Sequence, residues 1–367
     1  MPGLFDPLAL GPLNLHHRVV LAPLTRMRAF ERSTPTPLMA EYYAQRASPG
    51  GLLIAEATVV APDGFPHIDV PAVYTAQHIE GWQAVTQAVH ARGGHIYLQL
   101  WHGGRASHPD LIAGATPVGP SALQPADGGA TLHHKGRTPF PMPRALEVSE
   151  IEALIEAYAQ ATRNAKEAGF DGVEVHCANG YLPDQFLQDG ANQRTDRYGG
   201  SVENRARFAL EVVEACAAVI GMDRVGARIS PQNTFNGMSD SDPATTFEHF
   251  AEAMSARGLG YLHVIEPRVR GNTDLEEGAP VVAARQLRSA FKGVLMAAGG
   301  FTRESGMALV EEGGADLIAY GRLFIANPDL PARFKADLAL NPYDRATFYG
   351  GDHRGYTDYP VATAPTA

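Results

Sequence analysis

The chain alternates short runs of apolar, often β-branched residues with longer segments in which apolar residues recur every three or four positions. This alternation is typical of repeated βα units around a parallel sheet. Eight runs have the length and composition of buried strands, and eight is the number that closes a (β/α)8 TIM barrel. These runs are Val19–Leu24, Leu52–Val60, His95–His102, Gly172–Cys177, Arg224–Ser230, Tyr261–Pro267, Gly293–Gly300 and Asp316–Arg322.

The intervening segments predict amphipathic helices. In the longest of them, Ile151, Leu154 and Tyr158 would share one face, which we interpret as the face packed on the sheet. Ser149 and Glu152 predict a capping box at its start. The predicted helices are Ile79–Arg92, Ser149–Ala168, Val202–Ile220, Pro243–Arg257, Val281–Ala290, Arg303–Glu312 and Pro331–Leu340.

One long segment departs from the alternation. Residues 103–143 are rich in Gly, Pro, His and Ser and lack a helical period. Long ordered loops are usually functional, so we expect a cap over the mouth of the barrel, a decorative insertion being the alternative. Nothing in the composition divides the chain, which predicts a single domain over residues 1–367.

Charge and composition exclude several classes of function. The net charge of −10 and the absence of a basic run argue against a nucleic-acid partner. No apolar stretch reaches membrane-spanning length and the amino terminus lacks a signal-peptide pattern, so a cytoplasmic location without membrane contact is expected. Two cysteines are too few for a disulfide framework, a four-cysteine iron–sulfur cluster or a zinc ribbon.

The segment after the fourth predicted strand carries the most informative chemistry. His176 and Asn179 can polarise a carbonyl group, and Tyr181 carries a phenol that can deliver a proton. Barrel enzymes place catalytic groups at the carboxyl ends of strands. A single histidine there is more often structural, but the neighbouring Asn179 and Tyr181 favour a catalytic site.

Glycine motifs end the seventh and eighth predicted strands. AAGGF at 297–301 and YGRLF at 320–324 each place glycine before the start of a helix. Glycine lets backbone amides approach an anion, and a helix start presents unpaired N–H groups. Each motif alone is common in turns, but together they predict the phosphate site of a barrel, with Arg322 adding a cation.

Two polar side chains interrupt otherwise apolar strands. Gln99 and Arg228 must find partners if they are buried. A core glutamine bonded within the protein would satisfy Gln99. Arg228 must form a salt bridge, with Glu174 or Glu56 as candidates, or lie beside an anion.

The order and spacing of these motifs resemble one family over nearly the whole chain. The motifs are PLTRMRA at 23–29, LQLWHGGR at 98–105, HCANGYLPDQFL at 176–187, NQRTDRYGGSVENRARF at 192–208, GARIS at 226–230, AAGGF and YGRLFIANPDL at 320–330. In them the chain resembles the Old Yellow Enzyme family of FMN-dependent ene-reductases. Within NQRTDRYGGSVENR the charged residues are interpreted as structural, locking the loop to the next helix; they are Arg194, Asp196, Arg197, Glu203 and Arg205.

The resemblance implies tightly bound, non-covalent FMN, reduction by NADPH or NADH, and transfer of hydride to the β carbon of an electron-poor alkene. It implies that His176 and Asn179 bind the substrate carbonyl and that Tyr181 protonates the α carbon. Trp101, Tyr349 and Phe235 are candidates for the substrate wall. The cofactor-binding residues it implies are Pro23, Leu24, Thr25 at the flavin C4 carbonyl, Ala57 at O4, Gln99 at the pyrimidine edge, Arg228 near N1 and O2, Ala298, Gly299, Gly300, Gly321 and Arg322.

Other interpretations stay open at this point. Lys135, Arg137 and Arg144 would bind the 2′-phosphate of NADPH or be solvated loop charges. A metal-dependent barrel hydrolase would use histidines at strand ends, namely His102, His176 and His263. A flavin-binding barrel without reductase activity is a second alternative. The family reading needs no metal and leaves monomer and homodimer equally open.

Overall fold

The computed structural model describes residues 2–125, 129–133, 136–267, 269–270, 273–274 and 283–362. Eight parallel strands pair in sequence order and close into a barrel, with the last strand beside the first. The predicted (β/α)8 TIM barrel is therefore confirmed, and each predicted strand run contains one barrel strand. The strands are β1 Val19–Leu21, β2 Leu52–Val59, β3 His95–Trp101, β4 Gly172–Cys177, β5 Val225–Ile229, β6 Tyr261–Ile265, β7 Val294–Ala298 and β8 Leu317–Tyr320.

A helix follows each strand. The eight are α1 Pro37–Arg46, α2 Ala76–His90, α3 Val148–Glu167, α4 Val202–Ile220, α5 Pro243–Ala256, α6 Ala284–Leu287, α7 Arg303–Glu311 and α8 Leu330–Lys335. Shorter α-helical segments are Phe30–Ser33, Leu182–Leu187 and Arg322–Ala326, and 3-10 turns are Pro109–Leu111, Met222–Arg224, Phe235–Gly237 and Arg345–Thr347. The structure shortens the predicted helices at 281–290 and 331–340, and residues 281–282 lie outside the described part of the chain.

One helix was not predicted, and the capping box of another lies at a different pair of residues. Helix α1 was not predicted, because the positions it buries include the polar-tipped Tyr42, Tyr43 and Arg46, which hide its apolar period. The capping box of α3 lies two residues before the predicted pair. The Glu150 side chain accepts from the backbone N–H of Glu147 at 2.8 Å, so the helix begins at Val148.

The amino-terminal end of the barrel is filled. A hairpin pairs Leu8–Leu10 with Leu13–Leu15, and its buried Leu10 and Leu15 belong to the cluster of residues that fills the barrel interior, which includes Tyr97. The interior of a TIM barrel is a packed core rather than a channel. Open space is thereby left to the carboxyl ends of the strands.

The excursion after β3 folds into small sheets of its own. Val118–Gly119 pairs with Arg144–Ala145, and Ala130–His133 forms a hairpin with Gly136–Pro139. Phe140 packs in a cluster with Trp101 and Tyr181. The excursion therefore lies against the carboxyl-terminal face of the barrel.

The charged signature loop after β4 is structural, as predicted. Arg194 binds Asp196 and also donates to the carbonyl oxygens of Pro120 and Leu146. Arg205 donates to the Leu187 carbonyl at 2.9 Å. The Arg194 contacts join the loop to Pro120 in the excursion and to Leu146 after it, and the Arg205 contact joins α4 to the segment before the loop.

No helix among the described residues is long and apolar enough to cross a bilayer.

His17, which does not line the cavity described below, should make the stability of the fold depend on pH. Its ring lies 2.9 Å from the Ser48 hydroxyl, and burial lowers its pKa from 6.5 to about 4. The unfolded chain then binds a proton more readily than the folded chain, so the free energy of unfolding should fall as the pH drops from 6.5 to about 4. His17→Gln keeps a hydrogen-bonding group near Ser48 but cannot titrate.

We expect the wild-type protein to lose about 1–3 kcal/mol more stability than His17→Gln across that pH window, as measured by urea unfolding. Parallel losses in the two proteins would contradict the assignment of His17 as a partly buried neutral group.

Candidate active site

A cavity of about 570 Å³ opens at the carboxyl ends of the strands. Every residue assigned to the site from the sequence lines it: Pro23, Leu24, Thr25, Ala57, Gln99, Trp101, His176, Asn179, Tyr181, Arg228, Phe235, Ala298, Gly299, Gly300, Gly321, Arg322 and Tyr349. Sequence reasoning assigned no site role to several other lining residues, among them His67, Ile265, Val269, Thr302, Tyr343 and Phe348. The structure thus brings the predicted residues together, and their individual roles stay predictions.

Three rings form one wall of the cavity. Tyr181 meets Trp101 edge-to-face with the ring centroids 4.8 Å apart, and it meets His176 at 5.2 Å. All three side chains are nearly fully buried. Such packing fixes the phenol and the imidazole in single orientations, which a proton donor and a carbonyl-binding group both require.

The turn after β4 sets the direction of these groups. Asn179 and Gly180 both take left-handed backbone conformations, with φ of 58° and 71°. Asp184 accepts from the Gly180 N–H at 2.8 Å. A Cβ on Gly180 would lie 2.7 Å from the Phe235 carbonyl oxygen, so only glycine fits this close approach.

The loop after β5 orients Asn179, and sequence reasoning missed this. Asn233 donates from Nδ2 to Asn179 Oδ1 at 2.8 Å, Ser230 accepts from the Asn179 backbone N–H, and Asn236 donates to its carbonyl oxygen. Because its oxygen is occupied, Asn179 presents its Nδ2 donor. The sequence feature that could have indicated these contacts is the largely polar run Ser230–Gly237, which directly follows a barrel strand.

His176 is a neutral donor or acceptor. Burial, followed by the charges of Arg228 and His263, lowers the pKa of His176 well below its ordinary value. Its Nδ1 atom is buried without a hydrogen-bond partner among the described residues. Leaving a buried nitrogen without a hydrogen bond costs free energy, so a ligand that supplies the missing hydrogen bond would fit here.

Tyr181 remains protonated across the neutral range. Burial, followed by the charge of Tyr349, raises the pKa of the Tyr181 phenol well above its ordinary value. A phenol that keeps its proton is a suitable donor toward a developing carbanion.

The floor of the cavity is polar. Gln99 donates from Nε2 to the fully buried Glu174 at 2.7 Å, so Gln99 Oε1 remains as an acceptor. Arg228 interacts with the charge of Glu174, but no ion pair joins it to Glu174 or Glu56 in the described part of the chain. Its Nε is buried without a hydrogen-bond partner, which leaves a cation and a donor for an anionic edge of a ligand.

Glycine lines the cavity at the ends of β7 and β8. Gly299 and Gly300 have φ of 116° and 67°, and a Cβ on Gly299 would lie 2.9 Å from Val269. Gly321 starts the short helix Arg322–Ala326. These positions give the open backbone that an anion such as phosphate needs.

A bulge in β2 forms a further part of the cavity wall. The pairing of β2 with β3 shifts register between Ala55 and Thr58, which places Glu56 and Ala57 in the irregularity. Glu56 accepts from the Arg26 backbone N–H at 3.2 Å. This contact joins the bulge to the loop that carries Thr25.

The carboxyl-terminal segment supplies the outer wall. The Arg26 guanidinium donates to the carbonyl oxygens of Phe348 and Gly355, each at 2.9 Å. The Gly350 N–H donates to the Arg26 carbonyl oxygen at 2.9 Å. These bonds hold Tyr349 at the mouth of the cavity.

The structure places the candidate phosphate-binding cations of the excursion, and the candidate metal-binding histidines, at different sites. Arg137 lines the cavity, Arg144 forms an exposed ion pair with Glu150, and Lys135 lies outside the described residues. The hydrolase alternative loses its support, because no group of three or more potential metal ligands occurs among the described residues. His102 contacts Asp63, and His263 contacts Glu174.

Comparison with known proteins agrees with this geometry. Residues 3–341 match the model of the "NADH:flavin oxidoreductase / NADH oxidase family". The chain is 47% identical to 12-oxophytodienoate reductase 1 of Oryza sativa subsp. japonica over 97% of this chain and 92% of that protein. It is 46% identical to the flavin oxidoreductase hxnT of Emericella nidulans over 98% and 97%.

Solved structures give the same result. Morphinone reductase in complex with tetrahydroNAD superposes with a TM-score of 0.93 and 46% identity, covering 100% of this chain and 99% of that one. The Old Yellow Enzyme homologue of Zymomonas mobilis superposes with a TM-score of 0.94 and 41% identity, covering 98% and 100%.

Proposed function

Because the chain belongs to the Old Yellow Enzyme family of FMN-dependent oxidoreductases, we propose that it reduces the activated double bond of α,β-unsaturated carbonyl compounds, maleimides or nitroalkenes with electrons from NADPH, NADH being the alternative donor. The observation that carries this proposal is the wall of His176, Asn179 and Tyr181 facing a polar floor in one cavity. Bound FMN would supply the hydride chemistry that links oxidation of the nicotinamide to reduction of the alkene.

The residues present fit FMN. The unpaired Arg228 Nε and the free Gln99 Oε1 match a flavin edge that carries both N–H and carbonyl groups. The glycine positions at the ends of β7 and β8, with Arg322 beside them, would hold the phosphate. Thr25 and the Ala57 backbone, which also line the cavity, would bind the C4 carbonyl.

The other residues assigned to the site would bind the substrate and supply its proton. His176 and Asn179 Nδ2 would donate to the carbonyl oxygen, where negative charge develops as hydride reaches the β carbon. Tyr181 would then donate its phenolic proton to the α carbon. Trp101 and Tyr349 would hold the flat conjugated molecule between aromatic faces.

The excursion would act as a cap within the single domain. Its hairpin brings Ala130 and Arg137 to the cavity. Arg137 is therefore our candidate for contact with the NADPH 2′-phosphate.

Product analysis tests the proposal. The FMN-loaded protein, supplied with NADPH under anaerobic conditions, should convert 2-cyclohexenone to cyclohexanone in step with coenzyme consumption. NADH in place of NADPH measures the coenzyme preference. Coenzyme consumption only in the presence of oxygen, with no saturated product from enone, maleimide or nitroalkene, would favour a flavin-binding barrel without ene-reductase activity.

A further inference from the structure

Glu174 is a buried carboxylate to which the proposed chemistry assigns no task. It lies in β4 with no solvent exposure. Around it are Gln99 Nε2 at 2.7 Å, the Tyr261 hydroxyl at 3.0 Å and His263 Nδ1 at 2.9 Å. Burying a carboxylate is costly unless donors compensate it, and these three donors do so here.

The protonation state of this cluster follows from its contacts. Burial opposes ionisation of Glu174, but His263, Arg228 and Tyr261 together outweigh burial and lower its pKa below the ordinary value. Burial lowers the pKa of His263, and the charge of Glu174 opposes this shift. Since an ionised carboxylate only accepts, His263 must carry a proton on Nδ1 and Tyr261 must donate.

The Glu174 carboxylate affects two residues that line the cavity. It occupies the amide nitrogen of Gln99, so the oxygen of that amide is the atom left for a ligand. It also places a negative charge that acts on the Arg228 guanidinium and opposes the positive charge of this residue. Both residues line the cavity, whereas Glu174 does not.

We propose that Glu174 is a positioning residue that fixes the Gln99 amide with its oxygen toward the flavin and moderates the positive field of Arg228, thereby setting the reduction potential of bound FMN. The inference rests on the proposed function in that FMN occupies this cavity. Reduction adds negative charge to the flavin, so a nearby carboxylate makes reduction less favourable and a nearby guanidinium makes it more favourable.

Glu174→Gln removes the charge with little change in shape. The midpoint potential of bound FMN in this variant should move to a more positive value than in the wild-type holoenzyme. Tyr261→Phe is the matched control, because it removes one donor to the same oxygen while the carboxylate stays charged. Its potential should remain close to that of the wild type.

The measurement is a spectroelectrochemical titration of the three purified holoenzymes, accompanied by thermal unfolding to establish that each is folded. An unchanged or more negative potential in Glu174→Gln would overturn the inference. So would equal shifts in both variants, because loosening of the packing would then explain them.

If Glu174→Gln does not retain FMN, Glu174→Asp provides the second test. Recovery of FMN binding by the shorter carboxylate supports a need for charge at this position, and a folded Glu174→Asp protein without FMN overturns it. Failure of the wild-type protein itself to bind FMN would contradict the proposed function instead, so the two failures are distinguishable.

Discussion

Replacement of Tyr181 by Phe should slow oxidation of the reduced flavin by an alkene about 100- to 10,000-fold, the usual contribution of a positioned general acid. Reduction of the flavin by NADPH should continue at nearly the wild-type rate, because that step needs no proton from the phenol. The phenyl ring preserves the edge-to-face contact with Trp101. Stopped-flow absorbance of each half-reaction under anaerobic conditions measures the two rates.

Tyr158→Phe is the matched control for this prediction. Tyr158 is fully buried on α3, its hydroxyl has no hydrogen-bond partner in the described part of the chain, and it does not line the cavity. Both half-reactions should be unchanged in this variant. Equal slowing of both half-reactions in Tyr181→Phe would refute the assignment of Tyr181 as the proton donor.

Replacement of His176 by Ala should lower the rate of alkene reduction by about 100- to 1,000-fold, since loss of one preorganised donor to a developing oxyanion costs about 3 kcal/mol. The effect should fall mainly on kcat for an enone, because the hydrogen bond strengthens as charge builds on the oxygen.

Steady-state kinetics with several enone concentrations separate kcat from KM. His17→Gln, which changes a histidine at a distance from the cavity, should turn over like the wild type. A His176→Ala variant with a raised KM and an unchanged kcat would indicate that His176 binds the substrate equally in the ground and transition states.

The strand pattern was sufficient to predict the barrel because each strand is buried on both sides. Runs such as Leu52–Val59 are buried along their whole length, and their continuous apolar composition predicts a buried strand. Once the strands are known, barrel geometry places their carboxyl ends together, which is why His176 and Arg322, which follow different strands, were predicted to lie at one face. Thr25 was assigned to the same site by the family resemblance alone.

Side-chain partners could not be predicted in the same way. The contact of Gln99 with Glu174 depends on the register of β3 against β4, which pairs these two residues directly. The contact of Asn233 with Asn179 depends on the path of a loop. Periodicity carries no information on either, so the positioning groups behind the predicted site emerged only from the structure.

The most direct test of the account is an anaerobic absorbance titration of the FMN-loaded protein. NADPH should bleach the oxidised flavin band, and later addition of 2-cyclohexenone should restore it in stoichiometric amount, because the proposed mechanism uses one cavity for both substrates in turn. A protein that binds no FMN, or a flavin that NADPH and NADH leave oxidised, would contradict the central claim. A flavin that bleaches but is restored by no electron-poor alkene would contradict ene-reductase activity while leaving the cofactor site intact.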